Sequence, residues 1–176
     1  PSPRRGLSQR VGLVPEDRRG QGLFVDQSVG FNISIAKLSN ATSAGVLMGP
    51  KEKQLASSYI SRLRIKTPSK DEIVGNLSGG NQQKCVLAKV LNADCRVLLI
   101  DEPTRGVDIG AKREIYQVLA DLADREKVGI VMVSSELPEI IGLCDRAYVM
   151  HNGQVVQELA RKDMTEERIM LAATGS

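Results

Sequence analysis

Tryptophan is absent from the 176 residues, and aromatic side chains make up only 3% of them. So few flat rings argue against a stacking platform for single-stranded nucleic acid. A dominant charge is lacking too. The 24 Lys and Arg stand against 21 Asp and Glu, for a net charge of +3, too small to imply a polyanionic partner. The early basic cluster of Arg4, Arg5, Arg10, Arg18 and Arg19, set against Glu16 and Asp17, reads as a solvated segment. Long hydrophobic runs are missing. Val97–Ile100 falls far short of the roughly 20 apolar residues a membrane-spanning helix needs, so a membrane role requires a partner. Pro1 to Arg10 contains no apolar segment of the signal-peptide type. The cysteines Cys85, Cys95 and Cys144 are odd in number and lack metal-ligand spacing. Free, buried thiols in a reducing compartment are expected. The single histidine, His151, falls in a turn and is expected to face solvent.

What is present is ordinary for one globular domain: 41% hydrophobic and 26% charged residues, enough for a real core. No internal repeat or low-complexity tract occurs. Val11–Val14 reads as a short strand, followed by a charged, glycine-rich loop from Glu16 to Gly22. From Gln27 to about Lys70 the pattern is helical, with breaks near Asn40 to Gly49 and at Pro68. Tyr59, Ile60, Leu63 and Ile65 supply one apolar face of a middle helix. Beyond this the pattern alternates. Cys85–Ala93 is predicted helical, with Val86, Leu87, Val90 and Leu91 buried. Val97–Ile100 is a continuous apolar run, the mark of a strand covered on both faces. Ala111–Glu126 places Ile115, Val118, Leu119 and Leu122 on one helical face. Ile130–Val133 reads as a second buried strand and Pro138–Cys144 as a short helix. Ala147–Met150 and Val155–Val156 flank Asn152-Gly153, a strong hairpin turn. Thr165–Ala173 is a final helix. Strand and helix in alternation predict an α/β fold with a mainly parallel sheet, whose ligands bind at the carboxyl ends of the strands.

Two patterns carry chemistry. Asp101 and Glu102 follow Val97–Ile100 directly, and carboxylates at the end of a buried strand are costly without a use. Asp101 is suited to hold Mg²⁺, which takes hard oxygen ligands, and Glu102 to polarise a water for attack on a γ-phosphate. Pro103 stiffens the exit. A surface Asp-Glu turn is the plainer alternative. The second pattern, Leu77-Ser78-Gly79-Gly80-Asn81-Gln82-Gln83-Lys84, opens a helix. Two glycines admit a ligand to the backbone, and free N–H groups at a helix start favour an anion. A serine N-cap with flexible glycines is the alternative. It loses weight because Ser78 stands 23 residues before Asp101 with a helix between.

Together these patterns resemble the ABC transporter ATPases. Val14-Pro15-Glu16-Asp17-Arg18, Leu77 to Lys84, Asp101 to Asp108 with Gly110-Ala111-Lys112, and Ser134-Ser135-Glu136-Leu137-Pro138-Glu139 carry the match. The last is the most specific to bacterial importers of the ribose, xylose and galactose type. The resemblance implies a P-loop NTPase-like fold with an α-helical subdomain, the later part of a second nucleotide-binding domain. By it, residues 1–26 are the Q-loop region, 27–80 the helical subdomain with the signature loop, 81–160 the core and 161–176 the C-terminal helix. The signature residues Ser78, Gly79, Gly80, Asn81 and Gln82 would meet an ATP held by the partner domain. Asp101 would hold Mg²⁺, Glu102 would be catalytic, Asp108 would lie in the D-loop and Ser135 would occupy the switch position. Glu16 would be the Q-loop residue coupling to the membrane permease. The implied partners are the other nucleotide-binding domain, permease subunits and, indirectly, a periplasmic sugar-binding protein. The implied place is the cytoplasmic face of the inner membrane, as a peripheral ATP hydrolase driving sugar uptake.

Three departures from the pattern stand out. No G-x-x-x-x-G-K-[ST] loop occurs, so the chain is expected to be truncated before Walker A and inactive by itself. Ser135 stands where most of the family has His. Glu16 stands where Gln is usual, adding negative charge near a phosphate and metal. A translation or nucleic-acid factor on the same fold is the competing class. The small net charge, the few aromatics and the Ser135–Glu139 wording argue against it, and no nucleic-acid partner is expected.

Overall fold

The computed structural model describes residues 2–43, 46–47 and 49–175. Ala44, Gly45 and Met48, inside the predicted break, and the terminal residues Pro1 and Ser176 lie outside the described residues. The chain forms two compact units, Pro1–Val133 and Ser134–Ser176.

In the first unit, α1 (Pro3–Ser8) leads into β1 (Val11–Val14). The stretch expected as a loop instead winds into a π-helical turn, Arg18–Gly22, because the Asp17 carboxylate accepts the Gly20 amide at 2.9 Å. A side chain at Gly20 would come within 2.3 Å of that carboxylate. Helix α2 (Val29–Ser34) is capped by Ser28, whose hydroxyl accepts the Phe31 amide. It runs into a 3₁₀ segment, Ile35–Asn40. The predicted break holds a small antiparallel pair, β2 (Thr42–Ser43) and β3 (Val46–Leu47), before α3 (Gly49–Arg62). The apolar face expected of this helix is displaced. Ala56 is buried within it, Tyr59 and Ile60 are only half-buried, and Leu63 and Ile65 are buried just beyond its end.

Helix α4 (Gly79–Asn92) starts six residues earlier than its apolar periodicity suggests and is buried from Gly80 to Ala88. It packs on α2, β1 and α5. Strand β4 (Val97–Asp101), α5 (Ile109–Asp124) and β5 (Gly129–Val133) complete the unit. Ile115, Val118, Leu119 and Leu122 are all buried, as their spacing predicts. The sheet is parallel, in the order β1-β4-β5, with Val14 opposite Ile100 and Asp101 opposite Val133.

The expectation that the apolar strands are covered on both faces is corrected here. Val14, Leu98 and Ile100 are buried, but Leu13, Leu99, Val131 and Val133 on the alternating positions are 39–60% exposed. A strand sends successive side chains to opposite faces, and only one face of this sheet is covered. No residue of β5 is fully buried.

The second unit has its own core of Val149, Leu159, Met164 and Ile169. Around it lie α6 (Leu137–Leu143), the hairpin β6 (Arg146–His151) and β7 (Gln154–Ala160), and α7 (Glu166–Thr174). Asn152 and Gly153 make the turn with φ of 49° and 77°, the left-handed pair of a tight hairpin. His151 is not simply solvent-facing. Its Nδ1 lies 2.7 Å from the Ala173 carbonyl at the end of α7, and it is half-buried. The thiols are free, with Cys85 and Cys95 buried and Cys144 half-buried. Burial pushes the Cys85 thiol up to about 12, which keeps it unreactive.

Among the described residues no strand pairs with the outer edge of β5. An open edge beside exposed valines favours association between chains. The sedimentation coefficient of this chain is expected to rise with concentration, and Val131→Lys to flatten that rise. A wild-type value independent of concentration contradicts the expectation.

Candidate functional site

The parallel register delivers Asp101 and Glu102 to the carboxyl end of the central strand. Asp101 closes β4 and is half-buried. Glu102 turns sharply, with φ of 46°, a left-handed conformation that is uncommon for a side-chain-bearing residue and costs energy. Its amide donates to the Val133 carbonyl at 2.9 Å, so the bend is pinned to the end of β5. Pro103 and Thr104 are buried. The following turn is closed by Arg105 N–H to Glu102 O and Val107 N–H to Thr104 O, and Gly106 takes φ of 65°. Asp108 then caps α5, accepting the Ala111 amide at 2.9 Å.

Ser78 holds the N-cap position of α4, but its hydroxyl does not cap the helix. It accepts instead from the Asn81 side-chain amide at 2.9 Å, which leaves the first-turn N–H groups of α4 available. Asn81 is itself engaged, because its carbonyl accepts the Lys66 amide at 2.9 Å. Gln82 is 2% exposed and donates to the Leu77 and Gly75 carbonyls at 3.0 and 3.2 Å. Of the predicted signature residues, Ser78 is therefore exposed and Gly79 half-exposed, while the side chains of Asn81 and Gln82 shape the loop from inside. The glycines have packing reasons as well. A Cβ on Gly79 would lie 2.8 Å from Arg18 Nη2, and one on Gly80 would lie 2.7 Å from the Ala111 methyl. The starts of α4 and α5 meet at that point.

Glu16 forms an ion pair with Arg105. Its carboxylate is thus partnered by an arginine in the turn after β4. Arg18 Nη1 donates to the Arg105 carbonyl at 2.6 Å, and Nη2 reaches the Gly106 carbonyl at 3.4 Å. Burial, with Arg19 adding to it, lowers the Arg18 pKa. The first unit therefore gathers Glu16, Gly79, Arg105, Gly106 and the Asp101-Glu102 bend into neighbouring loops at one end of the sheet. Ser135 belongs to the second unit and is exposed. The turn that carries it is braced by Glu139, 1% exposed, whose carboxylate accepts the Ser134 hydroxyl at 2.6 Å. That hydroxyl in turn accepts the Glu136 amide.

Sequence patterning alone did not single out Lys84. It is 1% exposed and donates to the Arg64 carbonyl at 3.0 Å and to Glu114 at 2.7 Å. Glu114 also accepts from Lys66 at 2.6 Å. Hydrogen bonds from Lys66 and then Lys84 hold the Glu114 carboxyl at about 2. Nothing in the periodicity marks Lys84, since the helix also carries Gln82, Gln83 and Lys89.

An ABC transporter family model matches residues 2–105. The ribose import ATP-binding protein RbsA of Bacillus licheniformis is 48% identical over 173 residues, covering 98% of this chain and 35% of that protein. The xylose import ATP-binding protein XylG of Moorella thermoacetica is 50% identical over 169 residues, covering 96% and 33%. This chain thus spans about a third of the length of these relatives. Among solved structures, cbiO1 from Clostridium perfringens, part of the ABC transporter complex cbiONQ, matches with a TM-score of 0.76 at 23% identity over 95% of this chain and 63% of its own. The ADP conformation of the ATP-binding cassette MJ1267 matches with a TM-score of 0.76 at 17% identity over 100% and 72%. These likenesses establish the fold.

Glu114 is lowered from 4.5 to about 2, so its contribution is present above pH 4.5 and lost as pH falls through 2. Glu114→Gln is expected to flatten the pH dependence of urea stability between those values. An unchanged slope would show that the carboxylate braces nothing.

Proposed function

The chain belongs to the ABC transporter family, and on that premise we propose that it is part of the ATP-binding subunit of a bacterial sugar importer. The observation that carries this reading is the pairing of two features in one unit. The Asp101-Glu102 bend ends the central parallel strand, and an uncapped Gly-Gly helix start lies near the turn that follows it. The ribose and xylose import names of the relatives supply the substrate class.

In this reading the chain is the later part of the second of two nucleotide-binding domains. Each ATP lies between the phosphate loop of one domain and the signature loop of the other. Ser78, Gly79 and Gly80 offer a hydroxyl and backbone amides to the phosphates of the partner's ATP, where the helix dipole favours an anion. Asn81 and Gln82 hold that loop in shape. Asp101 fits Mg²⁺, being a hard carboxylate donor for an ion that keeps water and phosphate ligands and needs only one or two protein carboxylates. When bound, the ion neutralises phosphate charge. Glu102 accepts a proton from, or orients, the attacking water. Asp108 fixes the start of α5 and, as the D-loop residue, lies on the route between the two sites. Glu16 is the coupling residue toward permease subunits, and a periplasmic sugar-binding protein is a more distant partner. No described helix is long and apolar enough to cross a membrane; in this reading the subunit sits peripherally on the cytoplasmic face.

Ser135 cannot carry the charge of a histidine or match its reach. The domain's own hydrolytic site is therefore the weaker of the two, and its signature loop serves the stronger. In the full-length protein, Ser78→Arg is expected to cut steady-state ATP turnover about 100-fold, the scale of losing a positioned catalytic interaction. Glu102→Gln should then cost at most a few fold. A small effect of the first with a large effect of the second would sink this assignment of roles.

The 176 residues contain no G-x-x-x-x-G-K-[ST] loop, the backbone nest and lysine that grip β- and γ-phosphates. Calorimetric titration of this chain with Mg-ATP is expected to show a Kd weaker than about 1 mM, which corresponds to less than about 4 kcal/mol of binding. Micromolar binding would contradict it.

A further inference from the structure

We propose that Arg18 is a positioning residue that locks the Glu102–Val107 turn against the first residue of α4, so that movement after β1 reaches both catalytic loops together. The consequence for catalysis rests on the ATPase reading above; the lock itself does not.

Two segments far from Arg18 in sequence, Arg105-Gly106 and Gly79, meet at its guanidinium. Nη1 donates to the Arg105 carbonyl at 2.6 Å, and Nη2 reaches the Gly106 carbonyl at 3.4 Å. The two carbonyls belong to consecutive residues where the backbone turns left-handed at Gly106. The same Nη2 would lie 2.8 Å from a Cβ on Gly79, and the Gly106 carbonyl 3.2 Å from it. Glu16, two residues before Arg18, ties the same turn a second time by its ion pair with Arg105. The segment after β1 thus holds the turn through both a side chain and the backbone, with the start of α4 seated against the junction.

Arg18 Nε is buried with no hydrogen-bond partner among the described residues, so the guanidinium engages the turn through its two Nη groups. The value of the residue lies in geometry. A planar fork spans two carbonyls at fixed separation, whereas an ammonium is a point charge on a flexible stem. The turn so held begins with the strained Glu102 and runs directly into Asp108, the cap of α5. A shift of the Arg18 fork therefore bears on the carboxylates at the end of β4 and on the amides that open α4.

Arg18→Lys tests this, with the exposed Arg19→Lys as control. In this chain, hydrogen exchange at the Arg105 and Val107 amides, which close the turn, is expected to rise about tenfold in Arg18→Lys, the size of a lost hydrogen bond to a charged group, with little change in melting temperature. In the full-length protein, kcat for ATP should fall about tenfold with KM within about twofold, the mark of an interaction lost in the transition state alone. Arg19→Lys should change neither. Unaltered exchange at residues 105 and 107 would overturn the lock. Faster exchange with unaltered kcat would overturn its link to catalysis. A full-length wild type that does not hydrolyse ATP would overturn the functional reading, while the exchange measurement still decides the lock.

Discussion

Strand β4 is the member on which the first unit depends. It is paired on one side to β1 and on the other to β5, both in parallel. Parallel pairing brings the ends of all three strands to the same side. The loops after β1 and β4 therefore open together, and the end of β5 supplies the carbonyl that anchors Glu102. A one-residue slip of β4 would send Leu98 and Ile100 to the open face and carry Asp101 out of position. The burial of Val14, Leu98 and Ile100 against the helices resists that slip.

The start of α4 is fixed by close approach. Gly79 and Gly80 let it sit against Arg18, the Gly106 carbonyl and Ala111 without a side chain between. Farther along the helix, buried Lys84 binds the Arg64 carbonyl and Glu114, joining three segments. A buried ammonium is tolerated because its hydrogen bonds are satisfied and its charge is matched. The exposed ion pairs elsewhere, such as Lys37 with Asp94, contribute little by comparison. Charge inside this unit thus serves register and position.

Much of the candidate site is legible in the sequence. Asp101-Glu102 after four apolar residues, and Ser78-Gly79-Gly80 at a helix start, are local patterns whose chemistry follows from residue type and spacing. Ile115, Val118, Leu119 and Leu122 are readable because helical periodicity repeats a single face. Arg18 is only one residue of a basic stretch, since a charge run gives no sign of which member turns inward. The π-helical turn at Arg18–Gly22 depends on one Asp17 carboxylate reaching back to an amide, a contact that periodicity does not report. Asn81 and Gln82 carry hydrogen-bonding groups that suit a ligand and a loop equally well, and only their partners distinguish the two uses.

The sequence by itself determined the alternating α/β class, the family and the local patterns of carboxylates, hydroxyls and glycines, because those properties belong to side-chain chemistry and near neighbours along the chain. The tertiary structure decided which of those groups remain accessible. It turned Gln82 and Lys84 inward, set Glu16 on Arg105, and covered the sheet on one face while leaving Leu99 and Val131 open. Burial and pairing are settled by segments dozens of residues away, and an apolar run reads the same whether one face or two will be covered.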